Sequence, residues 1–142
     1  MSAAWLSSAR ANRIWCRSVS ATTGGSLYFH CAPDGRKLGM LNHGVRVCFE
    51  LEADVGVIKA ESACGWTMAY SSVIGWGTAV LVRDPHQRKA ALDTIMRQYG
   101  GPEGPYSEKV LGRTAVVRIE IERISAKSNH PRKLVNEADG ER

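Results

Sequence analysis

From Ser26 onward the chain alternates short apolar-polar stretches with turn-forming residues: SLYFHC, APDG, RKLGMLNHG, then VRVCFELE, with residues 54–56 turning the chain into GVIKA. A period of two marks a strand with one buried face, and closely spaced strands joined by short turns pair antiparallel. Residues 69–83 (AYSSVIGWGTAVLVR) read as a longer strand. Gly75 and Gly77 inside it mark a bulge, a barrel corner or a close backbone approach, because a strand glycine leaves room where something else must fit. The clearest strand is the last, where Val117, Ile119 and Ile121 alternate with Arg118, Glu120 and Glu122. The pattern predicts a mainly β fold with few helices.

One helix is well specified. Asp84 is a capping residue, Pro85 stands at the favoured first position, and Gln87 is placed to bond back to the cap. Leu92, Ile95, Met96 and Tyr99 then recur at three- and four-residue spacing, and Gly100 with Gly101 ends the run. That stripe reads as core packing. Residues 101–112 (GPEGPYSEKVLG) form a Pro/Gly loop with a short helical turn, and residues 127–142 are polar and aperiodic, the pattern of a disordered tail.

Composition narrows the class. With 142 residues, 44% hydrophobic and 23% charged, the chain has the length of one domain and enough apolar content for a core. No stretch approaches the roughly 18 consecutive apolar residues of a membrane span, and the N-terminus lacks the charged-then-apolar order of a signal peptide. A soluble cytoplasmic protein, with no membrane partner, is the expectation. The net charge of +5 suits an anionic ligand. There is no Lys/Arg block and no aromatic-basic interleaving, so a nucleic-acid partner is not expected.

Cys16, Cys31, Cys48 and Cys64 stand 15 to 17 residues apart, without a C-x-x-C pair or a histidine at zinc-ligand spacing. They read as free, mostly buried thiols, and no metal site is expected. The most chemically pointed segment is HCAPDGRKLGMLN, where Asp34 can cap a short helix whose first turn carries Gly35, Arg36 and Lys37. Unpaired backbone N–H groups with two cations beside them suit a phosphate monoester. The same two cations also suit a solvated turn, and the spacing leaves both readings open. His30 ends its strand just before this turn, facing either a ligand or the core. His43, His86 and His130 lie in loops or near a helix start, without a partner at catalytic spacing. Gly75 and Gly77 are no dinucleotide fingerprint, since no helix follows them.

The order of LYFHCAPDGRKL, VCFE, CGWTMAYSSVIGWGTAVLV, a capped helix ending MRQYG, and RTAVVRIEIERISAK resembles the pyridoxamine 5′-phosphate oxidase-like, FMN-binding split-barrel family. More narrowly it is similar to the flavin-nucleotide-binding branch that includes the nitroimidazole-resistance proteins. The resemblance covers about residues 26–127. It implies a six-stranded split β-barrel that forms a homodimer and holds FMN in clefts at the subunit interface. It further implies that Arg36 and Lys37 lie beside the flavin phosphate, that Tyr70 and Ser72 line the same cleft, and that His30 is the catalytic residue. The activity so implied passes electrons from NADH or NADPH through the flavin to an acceptor, the nitro group of a 5-nitroimidazole in that branch. A true pyridoxamine phosphate oxidase ends in a basic, substrate-gripping segment, which the tail SNHPRKLVNEADGER lacks. A heme- or F420-binding relative and a non-catalytic or truncated barrel are the alternatives.

Residues 1–24 depart from that pattern, showing neither alternation nor the expected second-strand motif. Joining each codon's third base to the next codon's first two, residues 11–23 can encode QPYLVPLSFRYH, close to the missing strand. The expectation is therefore an atypical segment at 1–24, out of frame from about residue 5, with the N-terminal strands of the 25–126 barrel domain missing or out of frame; a divergent or disordered N-terminal arm is the alternative. Losing them would open the barrel.

Overall fold

The computed structural model describes the backbone of residues 2–7, 15–41 and 44–130, and the side chains of Ser18 and of residues 20–41 and 44–130. Six strands carry the fold: β1 (Ser2–Ser7), β2 (Trp15–Thr23), β3 (Ser26–Cys31), β4 (Val45–Ile58), β5 (Thr67–Leu81) and β6 (Ala115–Asn129). Three helices join them: α1 (Arg36–Leu41), α2 (Pro85–Gln98) and α3 (Glu108–Gly112). All pairings are antiparallel, and the sheet closes on itself in the order β1-β2-β3-β6-β5-β4.

This closure corrects the expectation that the N-terminal strands are missing. β1 pairs with β2 from Ser2↔Val19 to Leu6↔Trp15, and with β4 from Ser2↔Glu52 to Ser7↔Val47. A strand needs paired backbone more than alternation, and two waiting edges supply the pairing whatever the side chains. Sequence periodicity therefore carried no trace of β1 or β2.

The barrel interior follows the predicted alternation. Leu27 and Phe29 point inward from β3, Val47 and Phe49 from β4, Val117 and Ile119 from β6, and all are buried. On β5 the inward positions are Gly75, Gly77 and Ala79, which are also buried. Both glycines are required there. A Cβ on Gly77 would lie 2.1 Å from the Glu120 carbonyl oxygen, and one on Gly75 would lie 2.1 Å from the Phe49 ring. A second cluster lies outside the wall, where Ala91 and Leu92 of α2 pack with Val82, Val116 and Leu111, and Tyr28 and Tyr106 lean against it.

α2 begins as predicted. The Asp84 carboxylate accepts the Gln87 backbone N–H at 2.8 Å, with Pro85 at the first turn. α3 is the short turn expected in the Pro/Gly loop, capped by Ser107.

Two boundaries differ from the sequence reading. Residues 54–56 make no turn; β4 runs through them to Ile58 with a register shift between Ala53 and Gly56, and Asp54 adopts a positive φ of 54°. Polar residues with a glycine serve a bulge as well as a turn, and the partner strand decides which. β6 likewise continues past Lys127 to Asn129, so the expected tail is strand at its start; residues 131–142 lie outside the described residues. Among the described residues, β4, β5 and β6 pair only with one another beyond Glu52 of β4 and Ile121 of β6. They form a three-stranded arm on which Val55, Val57, Met68 and Ile124 are exposed.

Candidate functional site

The residues marked by sequence fall into two groups. The first sits where β3 ends and α1 begins. His30 is exposed on the outer face of β3, opposite Val116 of β6, because Phe29 and Cys31 take the alternating inward positions. The chain then turns through Gly35, whose φ of 112° is open to glycine. The Gly35 carbonyl accepts a helical bond from the Gly39 N–H at 3.2 Å. Leu38 and Leu41 are buried in the barrel core and anchor α1 across its end. That anchoring leaves Arg36 exposed and Lys37 half-buried at the mouth. With six residues, α1 aligns few peptide dipoles, so attraction for an anion comes from the two cations themselves.

A cavity of about 280 Å³ opens at this end, lined by Pro33, Leu38, Arg83, Arg88 and Thr114 among others. Its Arg88 is already committed. The guanidinium donates to the carbonyl oxygens of Leu111 and of Thr114, tying α2 to the start of β6.

The second group lies on the arm. Tyr70 and Ser72 share one face of β5 with Ile74 and Trp76, since side chains alternate along a strand. Across from them, Lys127 of β6 lies 5.7 Å from the Tyr70 ring centroid and Arg123 lies 4.1 Å from that of Trp76. The hydrogen bond with Tyr70 raises the Lys127 ammonium above its ordinary range. Glu52 of β4 is the partner of Ser72 on its other side. An aromatic face, a hydroxyl and two cations therefore lie on one exposed surface, and such a surface suits a planar, anionic ligand.

The opposite face carries a pair that sequence spacing hides. The Ser71 hydroxyl lies 2.9 Å from Nε2 of His130 and 3.5 Å from the Ser128 hydroxyl. Asn129 pins the same corner by donating to the Met68 carbonyl at 2.7 Å. Fifty-nine residues separate Ser71 from His130, so only the β5–β6 register brings them together. Lys127 and Arg123 escaped notice for the same reason, since a residue added on β6 opposite the Trp76–Gly77 step resets which residues face which.

The two groups do not meet within one chain. His30 is level with the end of β5, because Val117 of β6 pairs with Leu81, whereas Ser72 lies about ten residues back along that strand. At about 3.3 Å per residue that is roughly 33 Å of strand path.

The thiols are less buried than expected. Cys31 and Cys48 are half-buried and Cys64 is exposed. Burial, and after it the charge of Glu50, pushes the Cys48 thiol up, which keeps it unreactive. His43 lies outside the described residues. Among the described residues, no helix is long and apolar enough to cross a membrane.

Comparison with known proteins places this architecture. The family model for pyridoxamine 5′-phosphate oxidase matches residues 18–128. The chain belongs to this family. A candidate 5-nitroimidazole antibiotic resistance protein from Bacteroides thetaiotaomicron superposes with a TM-score of 0.74 at 21% identity, covering 88% of this chain and 75% of the other. An FAD- and heme-binding protein from Mycobacterium smegmatis gives a TM-score of 0.72 at 20% identity, covering 92% of this chain and 66% of that one. A flavocytochrome from Azotobacter vinelandii gives 0.69 at 20% identity, with 92% and 62% covered. The chain thus spans less than two thirds of these last two proteins. No curated protein sequence matches it. At such identities the likeness establishes the shared split-barrel fold of the pyridoxamine 5′-phosphate oxidase family.

Proposed function

We propose that the protein binds FMN between two copies of the chain and acts as an FMN-dependent oxidoreductase. NADH or NADPH is the donor, and a small nitroaromatic of the 5-nitroimidazole type is the acceptor. The observation that carries this reading is the fold shared with the candidate 5-nitroimidazole resistance protein over 88% of the chain. Relatives named for FAD and heme binding support a flavin more broadly.

The residues present suit such a group, though from two separate ends of the barrel. Arg36, exposed, and Lys37, half-buried, form a cationic turn fit for a phosphate, while Tyr70, Ser72 and Lys127 offer a ring face, a hydroxyl and a charge fit for a planar ring. Separation of the two groups along β5 argues for a homodimer. A twofold axis that sets the arm of one copy against the α1 end of the other would bring Arg36 and Lys37 of one to Tyr70 and Ser72 of its mate. The same arrangement would cover Val55, Val57, Met68 and Ile124, whose exposure on one arm calls for a partner.

The flavin, when bound, supplies two-electron chemistry between donor and acceptor. Arg36 and Lys37 would hold its phosphate through charge-assisted hydrogen bonds. Ser72 and the ring of Tyr70 would position its planar part, and His30 would orient the acceptor through a ring N–H.

Titration of FMN, followed by quenching of its fluorescence, tests the reading. Saturable quenching is expected for the full chain, with at least tenfold weaker binding after Arg36→Ala with Lys37→Ala and an unchanged unfolding midpoint. Quenching by neither protein overturns the flavin assignment. If flavin binds but NADH drives no loss of 5-nitroimidazole absorbance, the acceptor is wrong and the cofactor stands.

A further inference from the structure

The cavity where α1, α2 and α3 meet the end of β5 has no part in the flavin reading. It measures about 280 Å³, whereas an apolar cavity of about 150 Å³ already admits a benzene ring. Pro33, Leu38, Leu81, Val82 and Leu111 give it apolar walls, and Arg83 and Arg88 bring two guanidinium groups. Among the described residues no carboxylate lines it.

The two arginines differ. Arg88 is half-buried, and its Nη2 donates to the carbonyl oxygens of Leu111 and Thr114. Those bonds fix the group, but carbonyls are neutral, so its positive charge remains in the wall. Arg83 is the available one. Val82 is buried and its N–H donates to the Val116 carbonyl at 2.9 Å, so the residue that follows it is turned outward. Arg83 is accordingly exposed, and its guanidinium has no hydrogen bond, ion pair or ring contact among the described residues. The acid beside it in the chain is engaged elsewhere, since the Asp84 carboxylate caps α2 by accepting the Gln87 N–H at 2.8 Å.

We propose that this cavity is a binding site for an aromatic monocarboxylate of one-ring size, whose ring lies against Leu38, Leu81 and Leu111 while its carboxylate accepts two N–H bonds from Arg83. An accessible, uncommitted guanidinium matches the fork of a carboxylate. Two cations without a lining carboxylate favour an anion over a neutral acceptor, and the apolar walls favour a carbon body over a bare oxyanion. The volume holds one ring together with its carboxylate. The site shares none of the residues proposed for flavin, so it stands or falls independently of that reading.

The test uses the full chain and benzoate as the probe, followed by backbone amide shifts. Saturable shifts are expected at Arg83, Gly112 and Ala115, with binding at least about tenfold weaker for benzamide, which lacks the charge, and for inorganic phosphate, which lacks the ring. Arg83→Gln should weaken benzoate at least about tenfold. Gly112→Leu, at a lining position where an added Cβ meets nothing within 4 Å, should abolish the shifts by filling the cavity. Absence of saturable shifts means the cavity holds solvent only and overturns the proposal. Shifts confined to Arg36 and Lys37 assign benzoate to the α1 turn and overturn it equally. Equal binding of benzamide or phosphate overturns the carboxylate assignment, as does full affinity in both variants.

Discussion

Phe49 and Gly75 face each other across β4 and β5 as a fitted pair: the ring fills the space a Cβ on Gly75 would need, 2.1 Å from its Cζ. Phe49 is 1% exposed, so it has nowhere to retreat. Gly75→Ala is expected to cost about 1–3 kcal/mol through overpacking. Gly77→Ala should cost at least as much, because the obstacle there is the Glu120 backbone carbonyl rather than a side chain. Urea unfolding measures both. Midpoints that do not move would mean the wall is looser than the pairing of β5 with its neighbours indicates.

Tyr106 sets an alkaline limit. Burial, and then its hydrogen bond to Asp93 at 2.8 Å, raises the phenol above its ordinary value of 10.0. A raised folded value means the folded state holds the proton more tightly. The stability from this group is therefore complete below pH 10 and lost as pH rises through the folded value. Tyr106→Phe is expected to lose about 1 kcal/mol at neutral pH and to decline less steeply above pH 10 than the parent. Asp93 would keep its bond from the Gly104 N–H. Parallel decline of the two proteins would sink the assignment.

The N-terminal strands carry the third expectation. Ser20 is a buried polar residue, 2% exposed, paired with Phe29 across β2 and β3. The alternative-frame peptide QPYLVPLSFRYH places its phenylalanine across the codons of Val19 and Ser20, where a core side chain belongs. Exchanging residues 12–23 for that peptide is expected to stabilise the barrel by about 1.5–3 kcal/mol, the gain from burying one large apolar side chain. A lower unfolding midpoint would show that the barrel prefers the present residues. Codons at the locus that cannot yield the peptide would end the out-of-frame explanation altogether.

What was legible in the sequence was local. The cap at Asp84 with Pro85 and Gly100 marks α2, the alternation from Val117 to Glu122 marks a strand with one buried face, and Gly75 and Gly77 announce a close approach. In each case a residue's neighbours in the chain are also its physical determinants. Residues 18–128, which carry these signals, are those the family model matches.

The rest was decided at a distance. β1 and β2 exist because the edges of β4 and β3 accept them, residues 54–56 bulge because β5 continues alongside, and β6 runs on past Lys127 because β5 pairs with it to Asn129. Register alone sets Lys127 over Tyr70, His130 beside Ser71, and Arg118 beneath α2. Strand pairing joins residues far apart in the chain, and an exposed arm has no dry face to impose alternation, so the sequence by itself determined the elements and only the closed barrel determined which side chains meet.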